Sequence, residues 1–378
     1  KTLIYGDYLD FELLKKLKSY NTIKDNVDET KQGITVGGTD INSADEYVGM
    51  PFVETKQFRT FFIEDNDKVW ETKIVHRQKD RSLFKSPSLL ISKGINRKLD
   101  LKMGILRKDA IFTDSITAVK CKNKDVLYNV MGILGSSIFK YMMIHTASSI
   151  GTEREQVHNP EKFNIPYIFS EKVINLVKEI EELSEKEFIF KDESKLKKLK
   201  QTLNENILKD FNLNEQEQAL ISYSENILIP WIMEKDFSRV FRKLYIKNNQ
   251  DKDILINYLN TFIENFSEIF KNENKHLSVK IIYNKYAIGF YFTISKNPSN
   301  IEQIKWIEEQ NISNFIKLSG NKLLENLFVQ KDIKGFEKDG FYVIKPNEYK
   351  NWHKAVSYLD FNEFKKAILN AGKKQWKN

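Results

Sequence analysis

Cysteine is almost absent from this chain of 378 residues: Cys121 is the only one. A single thiol can form neither an internal disulfide framework nor a thiolate zinc site, and the reducing cytoplasm is the expected compartment. Long apolar runs are missing as well. None approaches the ~20 residues of a membrane-spanning helix, so no membrane partner is expected. Proline is sparse, with seven residues and no adjacent pair, and no Gly-x-Gly occurs. Arginine is scarce, eight residues in a chain with sixty cations. Internal repeats and low-complexity tracts are absent.

What remains is a chain long enough for two or three domains, with ample aliphatic and aromatic content for buried cores. The opening Lys1-Thr2-Leu3-Ile4-Tyr5-Gly6 has no initiator Met and no signal layout, and reads as the continuation of a longer polypeptide. Abundant Lys, Asn and Ile match an AT-rich coding bias, which accounts for much of the lysine without any function. The placement of charge is more informative. Between Lys73 and Lys108 stand eleven cations against Asp80 and Asp100, a surplus of nine where the whole chain has eight. Six of the eight arginines (Arg59, Arg77, Arg81, Arg97, Arg107, Arg154) precede residue 155. Guanidinium forks suit phosphate oxygens and the O6/N7 edge of guanine, so this segment is expected to contact nucleic acid. The bland reading of the same residues is a solvated basic face.

Taken in order, Leu13, Leu14 and Leu17 share one face of a short helix with Asp10 as its N-cap. Residues 21–50 read as a surface loop. Val36-Gly37-Gly38-Thr39-Asp40 lacks the spacing of a phosphate cradle. Pro51–Glu54 and Phe61–Ile63 read as short strands. Glu54-Thr55-Lys56 and Glu71-Thr72-Lys73 each spell the E-x-K end of a nuclease metal site, but no acidic partner stands at a useful spacing, so no metal is expected. An apolar run at Leu89-Leu90-Ile91 and an alternating strand at 115–119 precede one apolar helix, 126–143. The loop from Ser148 to Val157 is rich in hydroxyls and carries Arg154, which suits phosphates and base edges. His145 and His158 lack a second ligand or an acid at metal spacing and read as ordinary polar residues. Beyond Pro166 the sequence turns helical: stripes at Val173–Leu183 and Leu196–Leu208, then a helix over 214–227 stopped by Pro230. From Asp236 a helix, a hairpin around Asn284-Lys285, a helix near 302–309, a strand at 341–344 and a helix from Trp352 follow. Tyr245, Tyr283, Tyr291 and Phe292 there serve either a core or a stacking platform. The expected fold class is α+β, with domains at 1–169 (target-recognition-like α/β), 170–235 (helical spacer) and 236–378 (a smaller α+β unit of unassigned role).

The order Pro87-Ser88-Leu89-Leu90-Ile91-Ser92-Lys93-Gly94, Phe112-Thr113-Asp114-Ser115-Ile116, Leu134-Gly135-Ser136-Ser137-Ile138-Phe139-Lys140-Tyr141, Glu153-Arg154-Glu155-Gln156 and Ile165-Pro166 resembles the target-recognition region of bacterial N6-adenine DNA methyltransferases. These are restriction-modification enzymes in which methylase and specificity modules share one polypeptide. The opening Tyr5-Gly6-Asp7-Tyr8-Leu9-Asp10-Phe11 is similar to the segment that leaves their methylase domain. The resemblance covers about the first 170 residues, the helical spacer loosely and the last unit only vaguely.

That resemblance implies a module that docks on double-stranded DNA and selects the site whose adenine is flipped and methylated elsewhere. Family methylases grip the adenine with Asn-Pro-Pro-Tyr or Asp-Pro-Pro-Tyr and hold S-adenosylmethionine at a glycine-containing turn. This chain has neither, so no catalytic residue and no cofactor is expected in it; S-adenosylmethionine would belong to the parent enzyme, and the partners are duplex DNA and a methylase domain or subunit. The expected DNA-binding residues are Arg77, Lys79, Arg81, Lys93, Arg97, Lys98, Arg107, Lys108, Ser148, Ser149, Thr152 and Arg154, with Arg107 and Arg154 reading bases. A protein-interaction scaffold, built on the helices of 171–209 within a restriction or phage-defence complex, is the alternative. A nuclease fragment is the third.

Overall fold

The computed structural model describes residues 5–148, 150, 157–190, 193–271, 275–295, 304–309 and 332–375. The chain is α+β and forms two compact units, Lys1–Lys235 and Asp236–Asn378. Among the described residues no helix is long and apolar enough to cross a membrane.

The first unit opens with α1 (Tyr8–Leu17), which buries Leu9, Leu13, Leu14 and Leu17. Its N-cap is Asp7, three residues before the expected Asp10. Asp7 Oδ1 accepts from Leu9 N at 2.7 Å, and Asp10 reaches back from the third helical position to Asp7 N at 3.0 Å, a reciprocal capping box. Where a surface loop is expected, β1 (Glu29–Gln32) joins the sheet and β2 (Asn42–Ser43) pairs with β3 (Ile74–Val75). The expected strands at 51–54 and 61–63 are isolated bridges, Pro51 to Val69, Phe52 to Ile111 and Phe58 to Ile63.

β4 (Ser88–Ile95), β5 (Leu101–Leu106) and β6 (Ile116–Lys120) complete an antiparallel sheet in the order β1-β6-β4-β5. β4 and β6 are central, which is why Leu89, Leu90 and Ile91 run on as three buried residues instead of alternating. The apolar run at 126–143 is two helices, α2 (Lys124–Leu134) and α3 (Ser137–Thr146). The break falls at Gly135, where a Cβ would stand 2.6 Å from the Phe61 ring. Asn204 Oδ1 then accepts from the Ser137 N–H at 2.9 Å, satisfying a first-turn donor of α3.

After the short α4 (Asn159–Phe163), the helices α5 (Glu171–Phe190) and α6 (Glu193–Asp210) pack side by side. They belong to the first unit: a Cβ on Gly132 of α2 would lie 2.6 Å from Val173 and 2.9 Å from Val177. The α5 stripe of Val173, Ile174, Val177 and Ile180 is thereby buried. α7 (Glu215–Tyr223) ends at Tyr223, but the helical winding is not stopped by Pro230. The chain continues through π-helical turns at Ser224–Leu228 and Pro230–Glu234, whose wider winding absorbs a residue with no N–H to donate.

The second unit holds α8 (Phe237–Val240), α9 (Asn249–Lys271), β7 (His276–Tyr283), β8 (Ala287–Ser295), β9 (Ile304–Glu308), β10 (Ile333–Glu337), β11 (Gly340–Pro346) and α10 (Lys354–Gln375). Its sheet order is β10-β11-β8-β7-β9, antiparallel except for β7 with β9. The segment expected as a helix near 302–309 is thus the strand β9. Tyr258, Phe262, Phe266, Phe290, Phe292, Phe341 and Trp352 fill one core between the sheet and α9 and α10. Phe292 is core, Tyr283 and Tyr291 are half-buried, and Tyr245 is exposed.

Candidate nucleic-acid interface

The hairpin β4–β5 divides the basic segment. Ser88 lies opposite Leu106 at one end and Ile95 opposite Leu101 at the other. Arg97 and Lys98 occupy the turn, while Arg107 and Lys108 follow the far end of β5, roughly 20 Å away at ~3.3 Å per residue. The turn is built by Asn96, whose Oδ1 accepts from Lys98 N and Asp100 N at 2.9 and 2.8 Å. Arg97 and Lys98 are exposed there. Arg77 is exposed beside Thr35, with which it exchanges backbone hydrogen bonds. The half-exposed Lys79 offers its carbonyl to the Tyr47 hydroxyl. Arg81 is exposed at the start of a 3-10 turn, Arg81–Phe84, capped by Asp80 through Ser82 N at 2.7 Å.

Two arginines are already engaged. Arg107 donates to Glu185 at 3.0 Å and lies 3.5 Å from Glu181, both on α5. Arg59 pairs with Glu64 at 2.5 Å and donates to the carbonyls of Lys56 and Phe58. Neighbours in sequence are therefore not one face in space.

A different grouping forms where β4 bulges between Ile91 and Ile95. The bulge carries Lys93, half-buried, its N–H donating to Ser115 O at 2.8 Å. α4 packs behind it: Thr117 donates to Asn159 Oδ1 at 3.1 Å and Lys162 Nζ to Ser92 O at 3.4 Å. Glu161 of α4 accepts from both the N–H and the hydroxyl of Ser148 at 2.8 Å on one oxygen, and from His158 N at 3.0 Å on the other. These bonds hold the Glu161 carboxyl below its ordinary range, although burial pushes the other way most strongly. Ser148 is thus brought to the Lys93 end of the sheet. Ser149, Thr152 and Arg154 lie outside the described residues.

Lys162 is the residue that sequence reasoning missed. It is wholly buried, and burial first, then the charge of Lys93, lowers its pKa to about 8 against the opposing pull of Glu161. Nothing in Asn-Pro-Glu-Lys-Phe marks its lysine as buried. The clue lay at a distance, in the sheet that α4 covers.

Burial holds the His145 pKa down at about 4, against the opposing pull of Asp7. Its Nε2 stands 3.2 Å from Ser224 Oγ and 3.7 Å from Asp10 Oδ1. Hydroxyl and carboxylate face the same nitrogen, so no relay from acid through imidazole to nucleophile is assembled. Glu54, in one of the E-x-K triplets, is paired with Lys56 and Lys68 at 2.9 and 2.8 Å. Among the described residues no group of three or more His, Cys, Asp or Glu side chains could hold a metal ion.

No protein-family model matches the chain, and no curated protein matches it.

Proposed function

We propose that this chain is the double-stranded DNA recognition module of a restriction-modification adenine-N6 DNA methyltransferase, positioning the target for a methylase domain or subunit. The order of motifs across the first 170 residues supports that family. The observation that carries DNA contact is the fate of the two acids in the basic segment. Asp80 is committed to capping Ser82, and Asp100 holds Lys140 at 2.8 Å and Asn96 Nδ2 at 3.1 Å. Arg77, Arg81, Lys98 and Lys108 are exposed and make no ion pair among the described residues, so the local surplus of positive charge stays available to phosphates. The scaffold alternative gains less, because the apolar stripe of α5 is buried within its own unit.

The test is duplex binding across a salt series, followed by selection from a random-sequence pool. Binding should weaken steeply with salt, and Arg77→Ala, Arg81→Ala and Lys98→Ala should each flatten the log–log slope by about 0.9, the value of one neutralised phosphate. Selection should return one sequence motif. No binding at low salt would sink the proposal, and binding that selects no motif would remove its specificity.

A further inference from the structure

Among the described residues of the first unit, Lys162 is the only buried cation, and its partners do not match its charge. Among the described residues its Nζ makes one hydrogen bond, to Ser92 O, at 3.4 Å, near the long limit for such a bond. No carboxylate among the described residues lies within ion-pair distance. Glu161, the nearest acid in the chain, already gives both oxygens to Ser148 and His158. Lys93 adds a second positive charge close enough to act on Lys162 unfavourably.

Proteins pair or neutralise buried charges because an uncompensated ammonium loses its hydration without replacement. Among the described residues the pull of Glu161 offsets only part of that. The Thr117 hydroxyl proton goes to Asn159, and the Ser92 hydroxyl donates to Gly94 O. A small anion would offset it. Two ammonium groups are point charges without the planar fork that favours carboxylates, and lysine in this role is a phosphate binder. The bulge in β4 brings the two together: it carries the half-exposed Lys93, and Lys162 bonds to the carbonyl of the adjacent Ser92. A four-carbon stem restrained by one long hydrogen bond can bring its head to an arriving anion at little cost.

We propose that Lys93 and Lys162 form a phosphate-binding pair at the β4 bulge. The phosphate is either a phosphodiester of the duplex backbone, which rests on the function proposed above, or a free phosphate of the same chemistry.

Lys162→Met in the full chain keeps the volume and removes the charge. Its Tm should equal or exceed that of the native chain, since an uncompensated charge leaves the interior. Affinity should fall about ten-fold or more, the worth of one charge-assisted hydrogen bond. Calorimetric titration with inorganic phosphate and with a random duplex separates the sources. Weaker duplex binding with a flatter salt slope identifies the backbone. Weaker phosphate binding in a chain whose native form ignores duplex identifies free phosphate, so that the inference stands and the DNA reading falls. In the native chain the affinity should also drop as the pH rises above about 8, where the ammonium begins to lose its proton, and Lys162→Met should abolish that dependence. Unchanged affinity for both ligands overturns the proposal, whatever the Tm. If Lys162→Met does not fold, Lys93→Met at the rim takes its place, and unchanged affinities there overturn the proposal equally.

Discussion

Replacing Asp360 by alanine is expected to remove about 3–5 kcal/mol from the second unit, the cost of breaking a buried ion pair on one side only. Asp360 lies on α10 and is almost completely buried. One of its oxygens accepts from both the Lys345 ammonium and the Tyr258 hydroxyl, and the other from Lys334 at 2.6 Å. Lys345 is itself buried, with its Nζ 5.6 Å from the centre of the Tyr258 ring. Lys334 continues outward to Glu363 at 2.5 Å and Asp332 at 3.0 Å, so Asp360→Ala leaves it two acids. Among the described residues Lys345 and Tyr258 have no second acid within bonding distance. The loss would appear as an earlier urea transition of the full chain. The double variant Lys345→Met/Asp360→Leu should recover the share due to the Lys345 charge, because matched apolar groups replace a buried pair at little cost, and leave the share due to the Tyr258 hydroxyl, which still lacks its acceptor.

Proton linkage gives that experiment a second axis. Burial lowers the Lys345 pKa, with Asp360 opposing the shift. Between the lowered value and the ordinary 10.5 the unfolded chain binds more protons than the folded one, so stability rises with pH across that window. Without Asp360 the window widens downward, and the penalty of Asp360→Ala should shrink in alkaline solution. A penalty that is constant with pH would mean that Lys345 does not carry an uncompensated charge.

Periodicity carried the central elements and failed where distant contacts decide. Leu89-Leu90-Ile91 and the alternation before Lys120 read correctly because β4 and β6 are flanked by strands on both sides. Around β9, Ile301, Ile304 and Ile307 recur every three residues, as on a helix, yet the segment pairs with β7 from Val279–Ile304 to Tyr283–Glu308. Local spacing cannot register a partner strand twenty-five residues back in the sequence. The break between α2 and α3 is similar: Gly135 and Ser136 permit it, but Phe61 and Asn204 enforce it.

The same division holds for the site. Composition located the basic segment, and spacing along the chain then implied a single face. An antiparallel hairpin separates what a linear count groups together, placing Arg97 and Arg107 at opposite ends. Lys162 reached the Lys93 bulge through a hydrogen bond to Ser92 O, seventy residues away from helix to strand, with no motif to announce it.

Arg107→Ala distinguishes a base-reading arginine from one that holds the fold. Its guanidinium faces Glu185, which is exposed, and Glu181, which is buried and also accepts from the Tyr128 hydroxyl at 3.1 Å. The pair with Glu185 is screened by solvent and is worth at most about 1 kcal/mol. The pair with Glu181 matters more, since its loss leaves a buried carboxylate with one neutral donor, at a cost of about 2 kcal/mol. A double-mutant cycle with Glu181→Gln should show most of that energy as coupling. Burial already raises the Glu181 pKa, with Arg107 and then Tyr128 opposing the rise, and burial together with Glu181 lifts the Tyr128 pKa to about 12. A carboxyl raised on folding binds its proton more tightly in the native state, so stability falls as pH rises through the window above 4.5. Removing Arg107 raises that carboxyl further. The cost of Arg107→Ala should therefore be full at neutral pH and fade as the solution is acidified and Glu181 takes up its proton. In the folded variant, duplex affinity should stay within about two-fold of the native value, because a guanidinium held by two carboxylates must leave both before it can meet guanine. A loss of affinity confined to one base pair of the selected motif, without a matching loss of stability, would instead make Arg107 a reader and the contacts with α5 its resting state.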